Sequence, residues 1–364
     1  MKTKHTLMIV FHDMRLGGIQ RKILDIIKYH QKFLPNTKII LCLRKREGIF
    51  LDCIPKDITV LAPSIHTHNF NITWFTLWLI QKLAIVRPDK ILSFMDLGTV
   101  PTLVALQLLP WLKPRLTIGE DILTSKYVYT ETFPSLRKLL IKWLYPLANT
   151  ILVQTPIQKK DLEQMIYHGH SQKNIVASPN WLPLDYPPQK IIPQNKRLID
   201  ILFVGRIDAQ KNLPLFLQII KLVTKNVPKL KVKIVGDGDD RKKIIKLINK
   251  LSLQKNVEII KPTLDTSKYY SNSKIFLLSS DYEGFPLTLM EAISSGCIPV
   301  LRNIPEISQF FTKDKSKIIY DTDIQAANII QKDLKIPVTT YLQIYLDKIL
   351  KNQQRHIRNY IKYF

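Results

Sequence analysis

The sequence predicts an α/β chain of two doubly wound domains. Three observations carry the prediction: short apolar runs alternate with longer helical patterns, the second half repeats the scheme of the first, and a proline-rich connection divides the two. Strand-like runs in the first half are 5–11 (HTLMIVF), 37–43 (TKIILCL), 57–61 (DITVL), 90–94 (KILSF), 115–119 (RLTIG) and 150–154 (TILVQ). In the second half they are 199–204 (IDILFV), 231–235 (KVKIV), 257–260 (VEII), 274–278 (KIFLL) and 298–301 (IPVL). Strongly apolar strands separated by helices indicate parallel sheets in βα units. The connection 178–197 holds prolines at 179, 183, 187, 188 and 193, so it reads as extended chain at a domain boundary. Residues 339–364 show helical spacing without a breaker and read as a long terminal helix with a basic face. Ligands of such sheets bind at the carboxyl ends of the strands, and two sheets can present those ends across a cleft.

The bulk numbers agree. At 364 residues, 46% hydrophobic and 23% charged, the chain can bury two cores and is not of disordered composition. A net charge of +25 calls for an anionic partner: nucleic acid, an acidic membrane or a phosphorylated substrate. The charge is spread along the chain and does not choose among them. Cys42, Cys53 and Cys297 are few and lack metal spacing, so they read as free thiols in a reducing compartment. At the start, Asp13 and Gly17 stand where a signal peptide would have its cleavage site, so the run 5–11 reads as a first strand. The apolar run 72–86 is too short to span a membrane and is interrupted by Gln81 and Lys82. A cytoplasmic location is the expectation.

Three strand-to-helix junctions can carry chemistry. After the first strand, Gly17 and Gly18 open an amphipathic helix, where backbone amides can approach an anion or simply make a tight turn. The three-glycine dinucleotide fingerprint is absent, which argues against a nicotinamide enzyme. After the strand 199–204, Gly205 turns the chain and Arg206 and Lys211 project at the strand mouth. Two permanent cations there suit a diphosphate, with charge-assisted hydrogen bonds of roughly 1.5–3 kcal/mol each; a solvated pair on a loop is the alternative. After the strand 274–278, the stretch SSDYEGFPLTLMEAISSGCIPV places Glu283 before a helix and Glu291 inside it, eight positions on. Pro286 suits the first helical position and Gly296 the end. Amides from Gly284 to Thr288 can take an anion while the glutamates accept from hydroxyls, a combination that fits a nucleotide sugar.

VGRIDAQKNL, VKIVGDGDDRKKI, VEIIKP and the Glu283–Glu291 stretch, in that order, resemble the C-terminal nucleotide-binding domain of retaining GT-B glycosyltransferases of family 4. That family carries a Glu-x7-Glu motif and an Arg–Lys pair after the first C-terminal strand, matched by Glu283, Glu291, Arg206 and Lys211. The match covers the second half. It is looser in the first, where LGGIQRK, ANTILVQTPIQKKDL and SPNWLPLD carry it. The resemblance implies two Rossmann-like domains facing across a cleft: an acceptor domain over 1–185, a donor domain over 186–345, and a terminal helix over 346–364 packing back on the first. It implies transfer of a sugar from a UDP-sugar with retained configuration, without metal or cofactor. Arg206 and Lys211 would neutralise the diphosphate and Glu283 would hold the sugar hydroxyls. Glu291 would hold the ribose, amides of Gly284, Phe285, Leu287 and Thr288 the sugar and phosphates, and Lys261 would border the base. Many members place a histidine or acid after an N-terminal-domain strand. Here LTIGEDILTS offers Glu120, favoured over Asp121, His12, Asp13 and Asp96; capping of the next helix is its structural alternative.

The segment 137–145 (RKLLIKWLY) mixes Arg137, Lys138 and Lys142 with leucines, Trp143 and Tyr145, and can lie on an anionic interface. With the net charge, it points to a lipid-linked glycan acceptor at the inner membrane face. Rival readings are a GT-B sugar-nucleotide epimerase, a non-enzymatic binding protein on a decayed transferase scaffold, and a nucleic-acid-binding protein. The last predicts a stripe of basic and stacking aromatic residues that the sequence lacks, so no nucleic-acid partner is expected.

Overall fold

The computed structural model describes residues 5–63, 72–130, 132–183, 186, 191–311, 318–334 and 356–364. The chain divides into two compact units: Met1–Asn180 with Arg355–Phe364, and Trp181–Gln354.

Unit 1 has strands β1 (His5–Phe11), β2 (Thr37–Leu43), β3 (Thr59–Leu61), β4 (Lys90–Phe94), β5 (Arg115–Glu120), β6 (Thr150–Val153) and β7 (Ile175–Ala177). Its helices are α1 (Gly18–Phe33), α2 (Ile72–Val86), α3 (Met95–Leu108), α4 (Thr124–Thr130), α5 (Pro134–Leu144) and α6 (Pro156–Tyr167). Every strand pair is parallel, in the order β3-β2-β1-β4-β5-β6-β7. Met8, Val10, Ile91 and Ile118 pack against Leu79, Leu83, Leu103 and Ile141 from the helices. Adjacent strand residues Met8, Ile9 and Val10 are all buried, as in a sheet covered on both faces. The order reverses between β1 and β4, which places a ligand crevice at their carboxyl ends. Residues 356–361 are helical, and Ile357, Tyr360, Ile361 and Phe364 are buried within this unit. The Thr117 hydroxyl donates to the Tyr363 carbonyl (2.8 Å) and Phe364 stacks on His30. The rest of the long terminal helix expected over 339–364 lies outside the described residues.

Unit 2 has strands β8 (Ile199–Val204), β9 (Val232–Val235), β10 (Val257–Ile260), β11 (Ser273–Leu278), β12 (Ile298–Arg302) and β13 (Ile319–Tyr320). Its helices are α7 (Leu213–Thr224), α8 (Arg241–Lys250), α9 (Ser267–Ser271), α10 (Leu287–Ser294), α11 (Pro305–Ser308) and α12 (Asp323–Asp333). The sheet is again parallel, ordered β10-β9-β8-β11-β12-β13, and reverses between β8 and β11. Ile201, Phe203, Phe216, Ile234, Phe276 and Val300 form its core. Arg197 fastens the end of the proline-rich connection. Its buried guanidinium donates to the carbonyls of Ile192 (2.8 Å), Ser295 (2.9 Å) and Ser273.

Strands β7 and β13 were not expected. At three and two residues, on sheet edges, they are too short to show a periodicity.

Candidate active site

In unit 2 the loops after β8 and β9 lie against each other. Gly205 N–H donates to Val235 O (3.1 Å) and Ile207 N–H to Asp237 O (2.8 Å). A Cβ on Gly236 would stand 1.9 Å from Gly205 O, and one on Gly238 2.4 Å from Ile207 O, so this approach requires glycine. The chain then makes a short turn at Ala209–Lys211, capped by Asp208, whose side chain accepts from Lys211 N–H. Asp208 also pairs with Arg206 (3.2 Å), which keeps an exposed guanidinium at the strand mouth.

Lys211 turns inward. Its Nζ lies 2.6 Å from Glu283 Oε1, an atom that also accepts from the Ser280 hydroxyl at 2.6 Å. Backbone ties make this contact rigid: Ser279 Oγ donates to Lys211 O (2.8 Å), Asp281 N–H to Gln210 O (2.9 Å) and Gln210 Nε2 to Tyr282 O (3.0 Å). Asn212, left-handed at φ 46°, caps α7 and donates to Asp281 Oδ1 (2.9 Å), which is also held by Arg302. The loops after β8 and β11 are thus stitched together across the point where the strand order reverses.

Pro286 stands one place earlier than expected. It is the extended N-cap of α10, and Leu287 is the first helical residue. The physical reason is the same, since the proline lacks an N–H and holds the preceding chain extended. It supplies no side-chain cap, so the opening amides of Leu287 and Thr288 lie at a positive helix end. The far end closes with Gly296 left-handed at φ 77°, Gly296 N–H on Ile293 O and Cys297 N–H on Ala292 O. Leu182, Leu287 and Met290, with Tyr186 and Phe285, form an apolar cushion under the turn. Glu291 is buried inside α10, and the Tyr186 hydroxyl donates to its carbonyl (3.1 Å). Gly284 is buried between Glu283 and Phe285, whereas Lys261 is exposed just past β10.

In unit 1, Gly17 is the extended N-cap of α1 and Gly18 its exposed first residue; the cap carries no side-chain bond. Glu120 ends β5 fully buried. Tyr145 O–H donates to its Oε1 (2.5 Å) and the Thr124 hydroxyl to its Oε2 (3.3 Å). Burial pushes its pKa up to about 8, against the Tyr145 bond and with help from Asp96 and Asp121. Asp121 is paired at 2.7 Å with Lys22, both buried, and Lys22 lies 5.1 Å over the Tyr360 ring. Burial lowers the Lys22 pKa against the pull of Asp121.

On α5, Leu136, Leu139 and Trp143 are exposed together, with Tyr129, Phe133 and Leu147 near the helix ends. Lys138 and Lys142, four apart, make the adjoining strip. With Tyr129, Met165 and His168 they line a cavity of about 330 Å³. Among the described residues no helix is long and apolar enough to cross a membrane.

The sequence did not single out Ser280, Gln210, Asn212, Asp281 or Arg302 as part of this site. The polar SSD run directly after an apolar strand was the available signal.

Fold and site define a doubly wound α/β protein with a cationic strand mouth in its second unit. The family model described as glycosyl transferases group 1 matches residues 188–337. The capsular polysaccharide biosynthesis glycosyltransferase CapH of Staphylococcus aureus is 32% identical over 327 residues, 85% of each chain. The chain belongs to the group 1 glycosyl transferases. A Campylobacter jejuni relative, N-acetylgalactosamine-N,N'-diacetylbacillosaminyl-diphospho-undecaprenol 4-alpha-N-acetylgalactosaminyltransferase, is 32% identical over 192 residues, 52% of this chain and 51% of that protein. The chain spans only 41% to 50% of the length of several other curated relatives. Among solved structures, S. aureus TarM in complex with fondaparinux, alpha-GlcNAc-glycerol and UDP superposes with a TM-score of 0.74 over 99% of both chains at 12% identity. The fold is GT-B.

Proposed function

We propose that this chain is a retaining, family 4 glycosyltransferase that moves a sugar from a UDP-sugar to a lipid-linked or cell-surface glycan, without a metal ion. The observation that carries the reading is the Lys211–Glu283 contact at the β8–β11 reversal, with Arg206 beside it. Negative charge grows on the diphosphate as its bond to the sugar breaks. Arg206, Lys211 and the amides of Gly284, Phe285, Leu287 and Thr288 are fixed where they stabilise that charge. Glu283 accepts from sugar hydroxyls and Glu291 from the ribose, while Lys261 borders the base. Without donor, Lys211 and Glu283 answer each other's charge; with donor, phosphate and hydroxyls take over those contacts. UDP is supported by its presence in the TarM complex.

The acceptor belongs to unit 1. A glycan acceptor is supported by CapH's role in capsular polysaccharide, and a lipid-linked one by the diphospho-undecaprenol in the Campylobacter relative's name. The exposed apolar strip of α5, with Lys138 and Lys142 beside it, suits contact with an anionic membrane at its cytoplasmic face. Glu120 enters on this side; its bonds to Tyr145 and Thr124 suit a group that fixes the shape of the β5 end.

Thermal melting with UDP, ADP and GDP tests the donor site. UDP raises the midpoint of the wild type by mass action and does so less in Lys211→Ala. No response to any nucleoside diphosphate rejects the donor assignment. Transfer that vanishes in chelator and returns with magnesium or manganese rejects the metal-free mechanism.

A further inference from the structure

Four cations gather at the carboxyl ends of β2, β1 and β4, which are neighbours in the sheet of unit 1. His12 follows β1, Arg44 and Lys45 follow β2, and Asp96 follows β4. The first two ends are laced together: Arg44 N–H donates to Phe11 O (3.0 Å) and Lys45 N–H to His12 O (2.9 Å). Arg44 Nη1 lies 3.5 Å from His12 Nδ1. Arg15 is held at the same mouth by Asp13 (2.8 Å). Arg137 arrives from α5 and pairs with Asp96.

The carboxylates at this mouth are already engaged, Asp13 by Arg15 and Asp96 by Arg137 and Tyr127. Burial lowers the pKa of Arg44, and the charge of Arg137 lowers it further, so the two guanidiniums repel each other in a half-buried setting. His12 cannot add a charge of its own. Burial holds its pKa at about 4 despite Asp13, and Arg44, Arg15 and Lys45 reinforce the effect. Like charges are rarely gathered at a strand mouth, beside a sheet reversal, unless an anion joins them there.

We propose that this mouth binds a phosphoryl group of the acceptor, gripped by Arg44 and Arg137 with Lys45 and Arg15 at its rim. The proposal rests on the reading of unit 1 as the acceptor side. Guanidinium forks match phosphate oxygens in pairs, and a phosphoryl group offers more oxygens and more charge than a sugar carboxylate. The group is a handle: it undergoes no reaction here and fixes where the glycan sits.

The test is melting with UDP already saturating the donor site, titrated with sn-glycerol 1-phosphate or with glycerol. The wild-type midpoint rises further with glycerol 1-phosphate and not with glycerol. Arg44→Gln loses this second rise and keeps the UDP rise. Arg137→Lys keeps a charge against Asp96 but loses the fork, and binds glycerol 1-phosphate at least tenfold more weakly; it decides the matter should Arg44→Gln not fold. An undiminished second rise in the folded variants, an equal effect of glycerol, or no wild-type response up to about 50 mM overturns the proposal. Failure of the donor reading shows separately, as a wild type that ignores UDP.

Discussion

Units 1 and 2 share a strand order about their first strands, yet they carry opposite surfaces. Of the twenty large apolar side chains exposed among the described residues, fifteen belong to unit 1, and six of these lie on or beside α5. The strand ends differ in the same sense. In unit 2 an exposed Arg206 stands next to the Lys211–Glu283 pair. In unit 1 Asp13, Lys22, Asp96, Glu120 and Asp121 are all buried, and residues 356–364 pack within the same unit. Topology fixes where a ligand can sit; the loops and outer helices fix what it can be. A donor common to many enzymes needs a few short-range groups on two loops, whereas a large, partly apolar partner needs a broad face.

The largest expected effect contrasts the two ion pairs. Asp121→Ala leaves Lys22 charged and buried, and should lower stability in denaturant melts by about 3–5 kcal/mol. Lys211→Ala, at a strand mouth, should cost far less stability; equal losses would break the contrast. Turnover should sort the other way. Lys211→Ala is expected to slow donor turnover about a hundredfold through lost leaving-group stabilisation, and unchanged turnover in a folded variant would remove Lys211 from the mechanism.

Glu120 supplies a pH signature. Its folded pKa of about 8 is raised above that of an unfolded glutamate, so its contribution is complete below the unfolded pKa, near pH 4.5, and is lost as pH rises through about 8. Stability should fall across that window by at most about 1.4 kcal/mol per pH unit, and Glu120→Gln should flatten the slope. A slope that persists in the glutamine variant would place its origin elsewhere. The smallest effect is at the surface. Trp143→Ala should weaken sedimentation with anionic vesicles about threefold to tenfold, and salt should weaken it in the wild type. Equal binding to neutral vesicles, or none to either, would sink the membrane reading.

Much of this was legible in the sequence because it is local. The runs 5–11, 37–43, 90–94, 199–204 and 257–260 match their strands end to end. The α10 helix followed from Pro286 and Gly296 to within one residue. The Lys211–Glu283 contact was not legible: 72 positions separate the two, and only the parallel pairing of β8 with β11 brings their loops together. Glu120 was found as a residue but not as a buried one, since its environment is made by Tyr145 and Thr124. The Arg44–Arg137 mouth was missed for the same reason, being assembled from two strand ends and a helix far apart in the chain.

Residues 356–364 belong to unit 1 although all of residues 181–354 come between. A ribosome therefore releases unit 2 in full before the last piece of unit 1 emerges. Unit 2 is contiguous and can close its core while synthesis continues. The sites later covered by Ile357, Tyr360 and Phe364 stay open until then, the ring of Tyr360 being the cover over Lys22. The half of the protein made first is thus the half finished last, and during that delay its nascent surface is the one a chaperone would have to shield.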